Sequence, residues 1–217
     1  MMEIKISELT LTLSKRTILD RVTAEFPCGK IYGIVGQNGS GKSMLFKCIC
    51  GFVRYDGGSI AADGRVIGKD IDYLNDVGLV IERPGLFDTM SGYKNLSLLA
   101  GIKGKIGKAE IETAIKNIGL DPYDKKRVSK YSLGMKQRLG IAQAMMEEPS
   151  VLILDEPMNG LDHDGVDTVR RAILNYKRSD RTIFLASHNP DDIALLCDEV
   201  YEMEAGRMHA VRRNRDC

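Results

Sequence analysis

The chain has 217 residues, 43% of them hydrophobic and 28% charged, with a formal net charge of +1. That make-up describes an ordinary soluble globular protein, long enough for one well-buried core and an inserted subdomain. The near-zero net charge gives no argument for nucleic acid, and no apolar run approaches the ~18 residues of a membrane span, so any membrane role needs a partner chain.

At the N-terminus, Glu3 stands where a signal peptide would build its apolar core. Residues 2–35 alternate as strands do, with Ile4 and Ile6, then Leu9, Leu11 and Leu13, on one face. Ser14-Lys15-Arg16 and Pro27-Cys28-Gly29-Lys30 read as turns, which makes this stretch an antiparallel β-arm leading into the apolar run Ile31 to Val35. A helical run follows at Met44 to Cys50. Asp56-Gly57-Gly58 and Asp63-Gly64 read as hairpin turns around Ser59 to Ala62, and Val77 to Ile81 as a buried strand ending at Glu82.

From Leu86 to about Glu148 the period becomes helical, for instance at Ala109, Ile111, Ala114, Ile115 and Ile118. Strand character returns at Val151 to Leu154 and Thr182 to Ala186, with a helix from about Gly165 to Tyr176 between them. The expected organisation is an α/β core with its β-arm over 1–85 and 149–210, an inserted helical subdomain over 86–148, and a frayed basic tail over 211–217. Lys103, Lys105, Lys108, Lys125, Lys126, Arg127 and Lys130 make the helical block basic, a pattern of a solvated face before that of a surface facing anionic lipid or an acidic partner.

The five cysteines, at 28, 48, 50, 197 and 217, are odd in number and form no C-x-x-C pair, which favours reduced thiols in the cytosol. Cys48 and Cys50 lie two apart on a helix, off a common face, so core packing is expected of them rather than metal binding.

The chemistry centres on Gly36-Gln37-Asn38-Gly39-Ser40-Gly41-Lys42-Ser43, the spacing G-x-x-x-x-G-K-[ST] between a strand and a helix. Glycines let the backbone turn tightly, so that successive N–H groups and the helix start at Met44 converge on phosphate oxygens. Lys42 would reach the β- and γ-phosphates and Ser43 would hold Mg²⁺. Val151-Leu152-Ile153-Leu154-Asp155-Glu156-Pro157 describes a buried parallel strand presenting Asp155 at its C-terminal end, where ligands bind in open α/β sheets. Asp155 can complete the Mg²⁺ shell, and Glu156 is placed to polarise a water for in-line attack on the γ-phosphate.

Between these elements lies Tyr131-Ser132-Leu133-Gly134-Met135-Lys136-Gln137-Arg138, directly before a helical run. Here the chain resembles the nucleotide-binding subunit of ABC transporters, whose signature is Leu-Ser-Gly-Gly-Gln; Ser132 and Gly134 match, while Tyr131, Leu133 and Met135 depart as in exporter subunits of the bacitracin and lantibiotic kind. The resemblance runs from the N-terminal arm to about Arg207. It implies that Ser132, Leu133, Gly134 and Met135 bind the γ-phosphate held by an opposite subunit, for which a hydroxyl, backbone N–H groups and a helix N-terminus form a suitable anion site. It further implies that Asn159-Gly160-Leu161-Asp162 is the loop through which two subunits communicate, and that His188, after Ser187, contacts the γ-phosphate.

Two departures stand out. Glu82 occupies the place of a glutamine that in the family touches Mg²⁺ and the attacking water; as a third metal ligand it supplies oxygen but adds negative charge. Leu13 occupies the place of an aromatic that stacks on adenine, and no aromatic precedes Phe26, so base selectivity is expected to be weak.

The fold expected is a P-loop NTPase of the ABC ATPase type with an antiparallel β-arm and an inserted helical subdomain. Implied are ATP hydrolysis with Mg²⁺, catalysed by Glu156, Lys42 and His188; a homodimer or heterodimer of ATPase subunits; an integral-membrane permease on a separate chain; and a place on the cytoplasmic face of the cell membrane. The cargo would be a peptide antibiotic or similar amphiphile. Competing readings are a soluble ABC-type ATPase of iron–sulfur assembly and a non-hydrolysing nucleotide-binding regulator.

Overall fold

In the computed structural model, which describes residues 2–82 and 84–211, two sheets share the strands. The N-terminal arm is a four-stranded antiparallel sheet of β1 (Ile4–Leu13), β2 (Arg16–Phe26), β4 (Gly57–Ala62) and the two-residue β5 (Arg65–Val66), in the order β2-β1-β4-β5. The second sheet has the order β10-β9-β3-β8-β7-β6. It is built from β3 (Ile31–Val35), β6 (Val77–Val80), β7 (Val151–Asp155), β8 (Thr182–Ala186), β9 (Glu199–Glu204) and β10 (Arg207–Val211), all parallel except β10.

Alternation decides which way each parallel strand faces. Ile31, Leu152, Leu154, Ile183 and Leu185 pack into one core with the helices. Tyr32, Ile34, Val151, Ile153, Phe184 and Ala186 pack into the other with the β-arm. Both faces are thereby covered, which is why β7 and β8 read as unbroken apolar runs and are buried along their whole length. Phe26, on the arm, meets Tyr32, Phe184 and Tyr201 edge-on with ring centroids 4.9, 4.9 and 5.1 Å away, tying the two sheets together.

The helices are α1 (Lys42–Cys50), α2 (Gly92–Lys103), α3 (Lys108–Asn117), α4 (Leu133–Met145), α5 (His163–Tyr176) and α6 (Pro190–Leu196), with a 3₁₀ turn at Val128–Lys130. The helical block between β6 and β7 agrees with the helical period read there, Ile111 and Ile115 being buried on α3. Among its basic residues, Lys103 pairs with Glu147 at 2.9 Å and Lys108 with Glu112 at 3.7 Å.

Several local expectations are corrected. Gly57 and Gly58 belong to strand β4 and do not form a hairpin turn. Gly58 has φ 82 and sits against a bulge of β1, where a Cβ would lie 2.3 Å from the Ser7 carbonyl oxygen; the glycine is there for close approach between strands. That bulge, with Glu8 at φ 48, shifts the register by one residue, so that Ile4 and Ile6 as well as Leu9 and Leu11 are buried. Leu13, expected on the same face, lies beside the Ser14-Lys15 turn and is 42% exposed. Strand β6 ends at Val80, before Ile81. Val211, read as part of a frayed tail, closes β10 by pairing with Val200, and the rest of that tail lies outside the described residues.

Candidate functional site

The loop Gly36–Ser43 joins β3 to α1, with Gly36, Gly39 and Gly41 at φ 146, 82 and 110. At Gly36 a Cβ would lie 2.2 Å from the Met203 carbonyl oxygen of β9, so only glycine lets the loop close against its neighbouring strand. Helix α1 begins at Lys42 with no side-chain cap and no acidic residue in its first turn. Its leading N–H groups therefore face the cleft with the positive end of the helix dipole behind them. This is a fit for phosphate.

The cleft above the loop, about 430 Å³, is lined by Asn38, Gly39, Gly41, Lys42, Ser43 and Met44 on one side and by Glu82, Asp155 and Glu156 on the other, with Ile18, Gln137 and Asn159 completing it. Gly36, Gln37 and Ser40 form the back of the loop. The Lys42 ammonium donates to the Gly36 and Gln37 carbonyls at 2.7 and 3.0 Å, and Ser40 N–H to the Gln37 carbonyl at 3.1 Å.

Ser43 Oγ donates to Asp155 Oδ2 at 2.5 Å, joining the start of α1 to the end of β7 across 112 residues of sequence. A hydroxyl and a carboxylate on one spot form an oxygen donor set of the kind Mg²⁺ takes together with phosphate oxygens and water. Among the described residues no cluster of three or more His, Cys, Asp or Glu could hold a metal by itself. Glu82 lines the same cleft, at φ 63 and exposed, and its Oε1 accepts from Lys47 Nζ of α1 at 2.7 Å. That hydrogen bond and the ammonium charge hold the Glu82 carboxyl below its ordinary range.

Glu156 follows β7 at φ 51, its N–H donating to the Ala186 carbonyl of β8 at 2.9 Å. Its Oε2 lies 2.8 Å from Nδ1 of His188, which follows β8. Buried Gln137 of α4 reaches the Glu156 and Pro157 carbonyls at 3.4 and 3.3 Å, steadying the same turn.

Other expected residues sit apart from this cleft. Ser132 caps α4, its Oγ accepting from Met135 N–H at 3.1 Å. Leu133 is 64% exposed, and a Cβ at Gly134 would lie 3.0 Å from the Gly160 carbonyl oxygen; these residues thus pack beside the Asn159–Asp162 loop and do not line the cleft of their own chain. Asp162 caps α5, accepting from Gly165 N–H at 3.0 Å. Cys48 and Cys50 are fully buried, and burial pushes their thiols up to about 11 and about 12, which fits packing and not metal ligation.

Sequence reading missed Ile18, Gln137 and Lys47. Ile18 lines the cleft where Leu13 was expected to offer apolar contact. Lys47 is one helical turn beyond Ser43, a spacing that puts both on one side of α1. The missed helix α6 did carry a signal, since Asn189 caps it by accepting from Asp191 N–H and Pro190 follows as its first residue.

A family model described as ABC transporter matches residues 19–159. An uncharacterized ABC transporter ATP-binding protein of Bacillus subtilis (strain 168), YybJ, is 42% identical over 205 residues, covering 94% of this chain and 94% of that protein. The bacitracin transport ATP-binding protein BcrA of Enterococcus faecalis is 37% identical over 207 residues, covering 94% of this chain and 67% of its own length. Among solved structures, an ATP binding subunit of an ABC transporter superposes with a TM-score of 0.84 at 25% identity, covering 96% of this chain and 90% of that one. With the phosphate loop, Asp155 and Glu156 on one cleft and these similarities spanning nearly the whole chain, the chain belongs to the ABC transporter family and has the fold of its ATP-binding ATPase subunits.

Proposed function

We propose that this chain is the ATP-binding and ATP-hydrolysing subunit of an ABC transporter, powering a separate integral-membrane permease that exports a peptide antibiotic or similar amphiphile. The observation that carries hydrolysis is the convergence on one cleft of an uncapped helix N-terminus, the Ser43–Asp155 pair and Glu156, whose carboxylate lies 2.8 Å from His188 Nδ1. The cargo class rests on the likeness to a bacitracin transport protein, 37% identical over 207 residues.

In this reading, N–H groups of the Gly36–Ser43 loop and Met44 take the phosphate oxygens, and Lys42 adds positive charge beside them. Ser43 and Asp155 would hold Mg²⁺, with Glu82 as a further oxygen, and such an ion would supply positive charge against the phosphates. Glu156 takes the proton of the attacking water, and His188 holds Glu156 in place and stabilises charge at the γ-phosphate. A second ATPase subunit, the same chain or a paralogue, presents Ser132, Leu133, Gly134 and Met135 to that phosphate, with Asp162 in the loop through which the two communicate. The exposure of Ser132 and Leu133 at the start of α4 supports such a contact in trans. Residues 86–148 act as the helical subdomain toward the permease, and the assembly sits on the cytoplasmic face of the cell membrane.

The test is Glu156→Gln. Hydrolysis is expected to fall by at least about 10²-fold, the scale of a lost general base, while ATP-dependent dimerisation survives. Undiminished turnover would remove Glu156 from the mechanism, and a chain that stays monomeric with ATP would remove the two-subunit site.

A further inference from the structure

Asp192, on the first turn of α6, is buried to 1% side-chain exposure, yet it faces no water and carries a carboxylate. Its two oxygens are divided between two elements. Oδ1 accepts from Nε and Nη2 of Arg170 on α5, at 2.8 and 2.6 Å. Oδ2 accepts from the Ser187 hydroxyl at 3.3 Å. With its proton committed to Asp192, the Ser187 oxygen accepts from Asn189 N–H at 3.1 Å. His188 lies between these two residues, and its side chain is 70% exposed except for the contact with Glu156.

A side chain that exposed is not oriented by packing; its direction follows from the backbone that carries it. On one side that backbone is held by β8, where the Ala186 carbonyl accepts from Glu156 N–H. On the other side Asn189 is tied into α6, its carbonyl accepting from Ile193 N–H at 3.3 Å and its Oδ1 from Asp191 N–H at 2.9 Å, and the Ser187 hydroxyl joins that end to the carboxylate behind it. Arg170 makes this arrangement tenable, because a buried carboxylate without a partner charge is strongly disfavoured. Arg170 Nη1 also lies 3.5 Å from Asp167 Oδ1, so the guanidinium is anchored on its own helix.

We propose that Arg170, Asp192 and Ser187 are positioning residues for His188: a buried relay from α5 that fixes the histidine-bearing loop and so holds the imidazole against Glu156. The inference rests on the ATPase reading above for its consequence in turnover, but its geometric content does not depend on that reading.

The experiment compares Arg170→Met, Ser187→Ala and Arg170→Lys with the parent chain, by ¹⁵N–¹H spectra of the His188 imidazole and by steady-state ATP hydrolysis. Arg170→Met and Ser187→Ala are expected to shift the imidazole signals and to lower kcat about tenfold with KM for ATP within about twofold, the pattern of a loss felt in the transition state. Arg170→Lys, which keeps the buried charge, is expected to stay nearer the parent in both. Should Arg170→Met fail to fold, Ser187→Ala, which removes one hydroxyl, carries the test. Unchanged imidazole signals in a folded variant, or a rise in KM equal to the loss in kcat, would overturn the proposal. If the parent chain hydrolyses no ATP, the ATPase reading has failed and the imidazole signals alone decide this one.

Discussion

Glu156 Oε2 and His188 Nδ1 stand 2.8 Å apart because β7 and β8 are adjacent parallel strands in register, Asp155 opposite Ala186, with Glu156 directly after the end of β7 and His188 two residues after the end of β8. Glu156 reaches across by adopting φ 51, a left-handed conformation that costs a non-glycine residue about 1 kcal/mol. The strain is offset by its N–H bond to Ala186 and by Gln137 on its carbonyl. If His188 holds and assists Glu156, His188→Ala should lower kcat by about 10²-fold or more and leave ATP affinity nearly unchanged. Steady-state kinetics beside an equilibrium titration with ATP check this, and a parallel loss of affinity would assign the histidine to binding instead.

The Lys47 hydrogen bond and charge hold Glu82 below its ordinary carboxylate range, and the pair weakens as pH falls through that depressed range. With its negative charge matched by Lys47, Glu82 is not the cleft's main source of metal affinity. Glu82→Gln is expected to keep ATP hydrolysis while shifting the Mg²⁺ concentration needed for half-maximal rate. Turnover measured across a Mg²⁺ titration decides it, and complete loss of turnover would contradict the expectation.

Among the described residues that line the cleft none is aromatic: Ile18 lines it, and Leu13 is exposed. Apolar contact discriminates poorly between purine bases, so ATP and GTP should bind within about tenfold of each other, or ~1.4 kcal/mol. A competition titration with a fluorescent nucleotide would measure the ratio, and a much larger preference for ATP would point to a base contact from another chain.

Burial raises the Cys48 and Cys50 thiols to about 11 and about 12, leaving a thiolate fraction near pH 8 of about 10⁻³ or less. Brief alkylation of the folded protein should therefore spare both and, among the described cysteines, reach half-buried Cys28 first. Peptide mass spectrometry before and after denaturation reads this directly, and early modification of Cys50 would mean that α1 opens in the native state.

Legibility followed the range of the forces involved. The phosphate loop, β7 and β8 were readable because a glycine pattern and unbroken apolar runs are local consequences of local demands. Strands β9 and β10 were not read: Glu199–Glu204 alternates weakly, and Arg207–Val211 is largely exposed and held by pairing with β9, which leaves little hydrophobic pattern. Gly58 misled because the same residue serves a turn and a close approach between strands, and only the bulge in β1 distinguishes them.

By itself, the sequence determined that Gly36 to Ser43 turns tightly into a helix, that Asp155 ends a buried strand, and that a helix starts after Ser132, since backbone geometry and capping are settled within a few residues. Tertiary structure alone decided that Ser43 meets Asp155, that Glu156 meets His188, that Lys47 occupies Glu82 and that Arg170 lies under the histidine loop. The pairs Ser43–Asp155, Glu156–His188, Lys47–Glu82 and Arg170–Asp192 are 112, 32, 35 and 22 residues apart in sequence. What brings them together is strand order: β8 lies between β3 and β7, the segments that follow β3 and β7 line one cleft, and the segment after β8 reaches Glu156 through His188.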